Sequence, residues 1–201
     1  MRHTQAIVTF MGFKNSDRNR CGFEDGYFEY VSHYAGGDTL TFAPRTWKTN
    51  VENLADQLMR QGVRRVAMLS YSHGQAAATS FARYAYEIGL NVDLWIACDP
   101  VYRPTWLPRW TVSQWLAWKA LLKKGKIKIP RNIARTVYIR QAKDKPRGHT
   151  LVPTSSSQYV ECKGILHSVG HTEIDESPEY WAMVDEELEA WTNPKKAVTI
   201  S

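Results

Sequence analysis

The sequence predicts an α/β fold, a mostly parallel central sheet with helices on both faces. Short apolar runs of strand length alternate with longer stretches whose apolar residues recur at helical spacing. Capping side chains or glycines stand at the helix boundaries. Strands that alternate with helices are joined by crossovers, and crossover connections produce parallel pairing. At 201 residues, with 43% hydrophobic and 23% charged residues, the chain suits one domain spanning residues 1–201 with a sizeable core.

Ala6-Ile7-Val8-Thr9-Phe10 reads as a buried strand, and Met11-Gly12-Phe13-Lys14-Asn15 as a glycine-bearing loop after it. Asp38 to Ala43 is a second strand, introduced by a turn at Gly36-Gly37. Asn50 suits the cap of a helix in which Val51, Leu54, Ala55, Leu58 and Met59 share a face, and Gly62 stands where a left-handed C-terminal cap belongs. Val66 to Leu69 leads as a strand into Ser70-Tyr71-Ser72-His73-Gly74, and a helix runs on from Gly74 to about Ile88, ended by Gly89. Val92 to Ala97 is the next strand and ends at Cys98-Asp99-Pro100. Thr136 to Ile139 and Tyr159 to Cys162 supply two more. Ser177-Pro178-Glu179 opens a final helix with a capping hydroxyl, a first-turn proline and an acid at the positive dipole end. Trp181, Val184, Leu188 and Trp191 form its apolar face.

The interval 101–131 breaks this rhythm. It carries Trp106, Trp110, Trp115 and Trp118, prolines at 104, 108 and 130, and a basic tail of Lys119, Lys123, Lys124, Lys126 and Lys128. From Thr111 its pattern is helical. The expectation is a cap insertion packed on the sheet, with Trp106, Trp110 and Trp115 lining a substrate cleft.

The formal charge is +6, but outside this interval the basic residues are scattered, so no nucleic-acid partner is expected. No apolar run reaches the roughly 18 residues of a membrane span, and the N-terminus does not read as a signal peptide. Cys21, Cys98 and Cys162 are odd in number and widely spaced, which argues for a cytoplasmic setting and against a disulfide framework. With His3, His33, His73 and His149 they form no metal-ligand spacing, so no metal site is expected.

The stretch around Ser72 has the layout of a nucleophile elbow, in which strand turns sharply into helix and a serine hydroxyl projects from the tip. The usual pattern is Gly-x-Ser-x-Gly; here Ser70 replaces the first glycine. Helix capping alone would also explain a serine at this position. A serine nucleophile needs a base, and the base needs an acid to orient it. Both follow in chain order. Asp99 closes the strand after the serine helix and His171 follows the last strand, so the carboxyl ends of parallel strands can bring the three together. Asp144, flanked by Lys143 and Lys145, is the alternative acid, and its lysines suit a solvated loop. His167 is the alternative base. For the developing oxyanion, the elbow offers the backbone N–H of His73, and the loop after the first strand offers that of Gly12 or Phe13.

Phe10-Met11-Gly12-Phe13, Ser70 to Gly74, Asp93 to Val101 and Gly170 to Asp175, in this order, resemble a small α/β-hydrolase of the lipase- or thioesterase-like kind. The resemblance covers nearly the whole chain. It implies a serine hydrolase acting on a small-molecule ester or acyl substrate through an acyl-enzyme, with no cofactor. The departures are Ser70 in the elbow and an oxyanion loop without the family's His-Gly pair. They leave a second expectation, a hydrolase-like fold serving as a binding or interaction module.

Overall fold

The computed structural model describes residues 3–12, 22–46, 48–101, 126–144 and 147–193. The strands are β1 (Gln5–Met11), β2 (Thr39–Thr41), β3 (Arg45–Thr46), β4 (Arg65–Tyr71), β5 (Asn91–Cys98), β6 (Lys126–Lys128), β7 (Ile133–Gln141), β8 (Thr150–Val152) and β9 (Tyr159–Leu166). The helices are α1 (Gly22–Gly26), α2 (Val51–Arg60), α3 (Gly74–Glu87) and α4 (Pro178–Thr192). Seven strands form one sheet in the order β2-β1-β4-β5-β7-β9, with β3 also beside β1, and every pairing in it is parallel. A separate parallel pair joins β6 to β8.

The order of the strands contains a switch point. The chain starts at β1, steps to one side for β2 and β3, then crosses to β4 on the other side and continues outward through β5, β7 and β9. The reversal lies between β1 and β4, and in open parallel sheets ligands bind outside the carboxyl ends of strands at such a point. Those ends are Met11 and Tyr71, the residues just before Gly12 and Ser72.

Alternation along the strands builds a core on each face of the sheet. Ala6, Val8 and Phe10 of β1, Val66 and Met68 of β4, and Trp95 of β5 pack against Leu54, Leu58, Ala78, Phe81 and Ala82 of α2 and α3. Ile7, Leu69, Ile96 and Val137 face the other way, onto Phe23 of α1 and Tyr180, Val184 and Leu188 of α4. Phe81, Trp95 and Tyr180 are fully buried, and an apolar side chain such as Phe81 contributes about 1.5–3 kcal/mol by leaving water. Arg135 of β7 fastens α4 to the sheet through two bonds, of 2.7 and 2.6 Å, to the buried carboxylate of Glu187.

Local chemistry places the ends of these elements. Asn50 Oδ1 accepts from the backbone N–H of Asn53 at 3.0 Å, and Gly62 takes a φ of +89° after α2. Gly89 does the same after α3, with φ +75°. Ser177 Oγ accepts from Tyr180 N at 3.3 Å to start α4, with Pro178 in the first turn.

Three features go beyond the sequence reading. Helical turns run on from α1 through Tyr34. The last strand continues past Cys162 to Leu166, its register slipping opposite Tyr138 and Ile139 where Lys163 and Gly164 enter. Lys126 and Lys128, read as part of a basic tail, belong to strand β6. Residues 102–125, with Trp106, Trp110 and Trp115 of the expected cap, lie outside the described residues, as does Phe13. Among the described residues no helix is long and apolar enough to cross a membrane.

Candidate active site

β4 delivers Ser72 to the carboxyl edge of the sheet. The strand's ladder runs one residue past its end, because Ser72 N donates to Cys98 O at 3.0 Å. The chain then turns back at once. Ser72 has φ +51°, a left-handed conformation that costs a non-glycine residue on the order of 1–3 kcal/mol. The turn is sustained by Gln75 N and Val101 N, which donate to Ser72 O at 3.3 and 3.0 Å. It also needs the small residues around it. A Cβ on Gly74 would lie 2.2 Å from Phe10 O, so α3 can start this close to β1 only from a glycine.

Asp99 is the other described non-glycine residue with a positive φ, at +39°. Its N–H donates to Ile139 O at 2.8 Å, which continues the β5–β7 ladder just as Ser72 continues that of β4 and β5. The carboxylate is wholly buried. Its Oδ1 accepts from Gly148 N at 2.8 Å and Gln141 N at 3.1 Å, and its Oδ2 from Gln141 Nε2 at 3.3 Å. These three hydrogen bonds replace those that burial takes from the carboxylate oxygens.

His171 completes the arrangement from the loop after β9. Its Nδ1 lies 2.5 Å from Asp99 Oδ2 and its Nε2 lies 2.7 Å from Ser72 Oγ. A carboxylate can only accept, so the proton shared with Asp99 belongs to Nδ1, and Nε2 is left to accept from the serine hydroxyl. The ring stacks on Tyr71, with centroids 5.6 Å apart. Tyr71 Oη donates to His171 O at 2.5 Å. Ser72, Asp99 and His171 are all buried, His171 being 9% exposed. This chain of contacts can draw a proton from Ser72 and stabilise the resulting imidazolium.

The alternatives occupy other places. His167 is exposed on the loop. Asp144 does not touch the imidazole; its Oδ1 accepts from the backbone N–H of His171 at 2.8 Å. His73 is buried directly after Ser72 at the start of α3. Gly12 packs on the serine so closely that a Cβ there would lie 2.9 Å from Ser72 Cβ.

Among solved structures, the chain is similar to Est1E from Butyrivibrio proteoclasticus, with a TM-score of 0.52 at 11% identity over 98% of this chain and 90% of that one. The fold is α/β-hydrolase-like. At this identity the likeness speaks to the fold alone. Cfl2 from Burkholderia cenocepacia also matches, with a TM-score of 0.45 at 12% identity over 94% of this chain and 88% of that one. No protein-family model matches the chain. No curated protein matches it.

Sequence reasoning missed Gln141, Gly148 and Asp175. Gln141 reads as an ordinary polar residue at a strand end, and Gly148 as a loop glycine. Asp175 is buried at 2% exposure, four residues past His171, and its Oδ2 accepts from Phe23 N at 3.1 Å. Burial pushes its carboxyl up to about 6. Asp175 stands between Glu173 and Glu176 in a polar approach to α4, so no signal in the sequence sets it apart.

Proposed function

We propose that this protein is a serine hydrolase that cleaves a carboxylic ester or thioester through an acyl-enzyme, within a single domain formed by the whole chain. The observation that carries the reading is the unbroken line of contacts from Ser72 Oγ through His171 to Asp99, at 2.7 and 2.5 Å, on a serine held at φ +51°. Ser72 Oγ attacks the acyl carbonyl as its proton passes to His171 Nε2. The imidazolium is stabilised by Asp99 and then protonates the departing alcohol or thiol. Water repeats the sequence to free the acid and restore Ser72. The backbone N–H of His73 and that of Gly12 or Phe13 are the proposed oxyanion donors. Each such donor is worth about 10²–10³ in rate.

Incubation with a fluorophosphonate probe, followed by mapping of the adduct, tests this reading. Labelling at Ser72, lost in Ser72→Ala together with hydrolysis of p-nitrophenyl esters, is the expected result. Absence of labelling in folded protein, or an adduct at another residue, overturns it. A binding module would keep its ligand in Ser72→Ala and show no turnover in either form.

A further inference from the structure

His171 is fastened at more points than hydrolysis itself requires. Its ring nitrogens meet Asp99 and Ser72, and in addition its backbone N–H donates to Asp144 Oδ1 at 2.8 Å. Asp144 is in turn held by Gln141, whose Oε1 accepts from Asp144 N at 3.0 Å and whose Nε2 donates to Asp144 O at 3.2 Å. That same Nε2 reaches Asp99 Oδ2 at 3.3 Å, and Gln141 N donates to Asp99 Oδ1 at 3.1 Å. One buried side chain therefore touches both the carboxylate on the imidazole and the turn that holds the backbone of the same histidine. Gly170 allows the approach: a Cβ there would lie 2.3 Å from Asp144 Oδ2. Its N–H donates to Glu173 Oε2 at 2.9 Å, which leaves the N–H of His171 to Asp144.

We infer that Asp144 and Gln141 are positioning residues for His171, Asp144 fixing its backbone and Gln141 tying that anchor to Asp99 so that acid and base share one frame; this rests on reading Ser72, His171 and Asp99 as the hydrolytic triad. The physical need is plain. Asp99 can set the tilt of the ring but not the location of the Cα that carries it. The loop arrives from an edge strand, with His167 and Ser168 exposed, and the backbone of His171 is held on its carbonyl by Tyr71 Oη and on its N–H by Asp144. A misplacement of about 1 Å at a reacting group costs about 10²-fold in rate. Asp144 acts here through an acceptor oxygen on an exposed side chain. An amide supplies that oxygen as well as a carboxylate does, and a methyl group does not.

The test compares Asp144→Asn, Asp144→Ala and Gln141→Ala with the parent in steady-state hydrolysis of p-nitrophenyl acetate. Proton NMR of the His171 Nδ1–H, whose short contact with Asp99 is expected to give a strongly downfield line, is the second readout. Asp144→Ala and Gln141→Ala are expected to lower kcat by about tenfold to a hundredfold with KM within about twofold, and to broaden or shift the downfield line. Asp144→Asn is expected to stay within about threefold of the parent and to restore the line. Asp144→Ala at parental kcat with an unchanged line overturns the inference, as does an Asn variant as impaired as the Ala variant. A parent that neither hydrolyses the ester nor takes the probe sinks the triad reading instead. The NMR comparison then still decides whether Asp144 holds the ring in place.

Discussion

The hydroxyl of Ser70 accepts the indole N–H of Trp95 at 2.9 Å, and both side chains are wholly buried between the sheet and α3. This explains why a serine stands where the elbow pattern usually has its first glycine. Trp95 is a large core residue with one polar atom, and Ser70 on the neighbouring strand satisfies it. Ser70→Gly, which would restore the usual pattern, should therefore destabilise the protein by about 1–3 kcal/mol, since it strands a buried donor and adds a void. The rate of hydrolysis should change little. Urea denaturation read beside kcat checks this; a more stable Ser70→Gly protein would contradict it.

Gly12 against Ser72 sets a tighter limit. An added methyl would meet Ser72 Cβ at 2.9 Å and Oγ at 3.2 Å. Either the loop or the hydroxyl must give way, and both serve the reaction in the proposed mechanism. Gly12→Ala is expected to lower kcat by about 10²-fold while the folded state persists. Steady-state kinetics and circular dichroism on the same sample separate the two effects. Unchanged kcat would show that the contact is slack.

Gly148 limits Asp99 in the same way. Its Cβ would fall 2.0 Å from Asp99 Oδ1, where its own N–H now donates at 2.8 Å. Gly148→Ala should turn the carboxylate away from His171 and lower kcat by about tenfold or more, with KM nearly unchanged. Labelling of Ser72 by the fluorophosphonate should slow in step. Labelling at the parental rate would argue against it.

Asp175 makes a prediction about stability and pH. Burial raises its carboxyl from an ordinary 3.8 to about 6 in the folded protein. Between those values the folded state holds a proton that the unfolded chain has released, so stability falls as pH rises from about 4 to about 6 and is level above that. Holding the charge unsolvated costs up to on the order of 3 kcal/mol at neutral pH. Asp175→Asn keeps an oxygen for Phe23 N and carries no charge. It should be more stable than the parent at pH 7.5 by about 1–3 kcal/mol, with the gap closing by pH 4. Chemical denaturation at both pH values measures this, and a gap of constant size would refute it.

Much of the fold was legible because its signals are local. The strand runs at Ala6, Val66, Val92 and Thr136, the Asn50 and Ser177 caps, and the glycines at 62 and 89 each state their role within a few residues. The order of Ser72, Asp99 and His171 along alternating strands and helices was legible for the same reason. The extent of β9 was not, because Lys163 and Gly164 break the period of two. The pairing of β6 with β8 joins segments of three residues too short to show any period.

What the sequence by itself determined is a parallel sheet whose strands are followed by a serine, an acid and a histidine. Only the tertiary structure places Asp99 and Asp144 relative to His171, since both follow strands and both come within reach of it. It puts the first against the ring and the second against the backbone. The difference comes from neighbouring strands and loops distant in the chain: Gly148, Gln141 and Gly170 leave room for one carboxylate at each place. Contacts of that kind are set by packing, and no pattern along the chain records them.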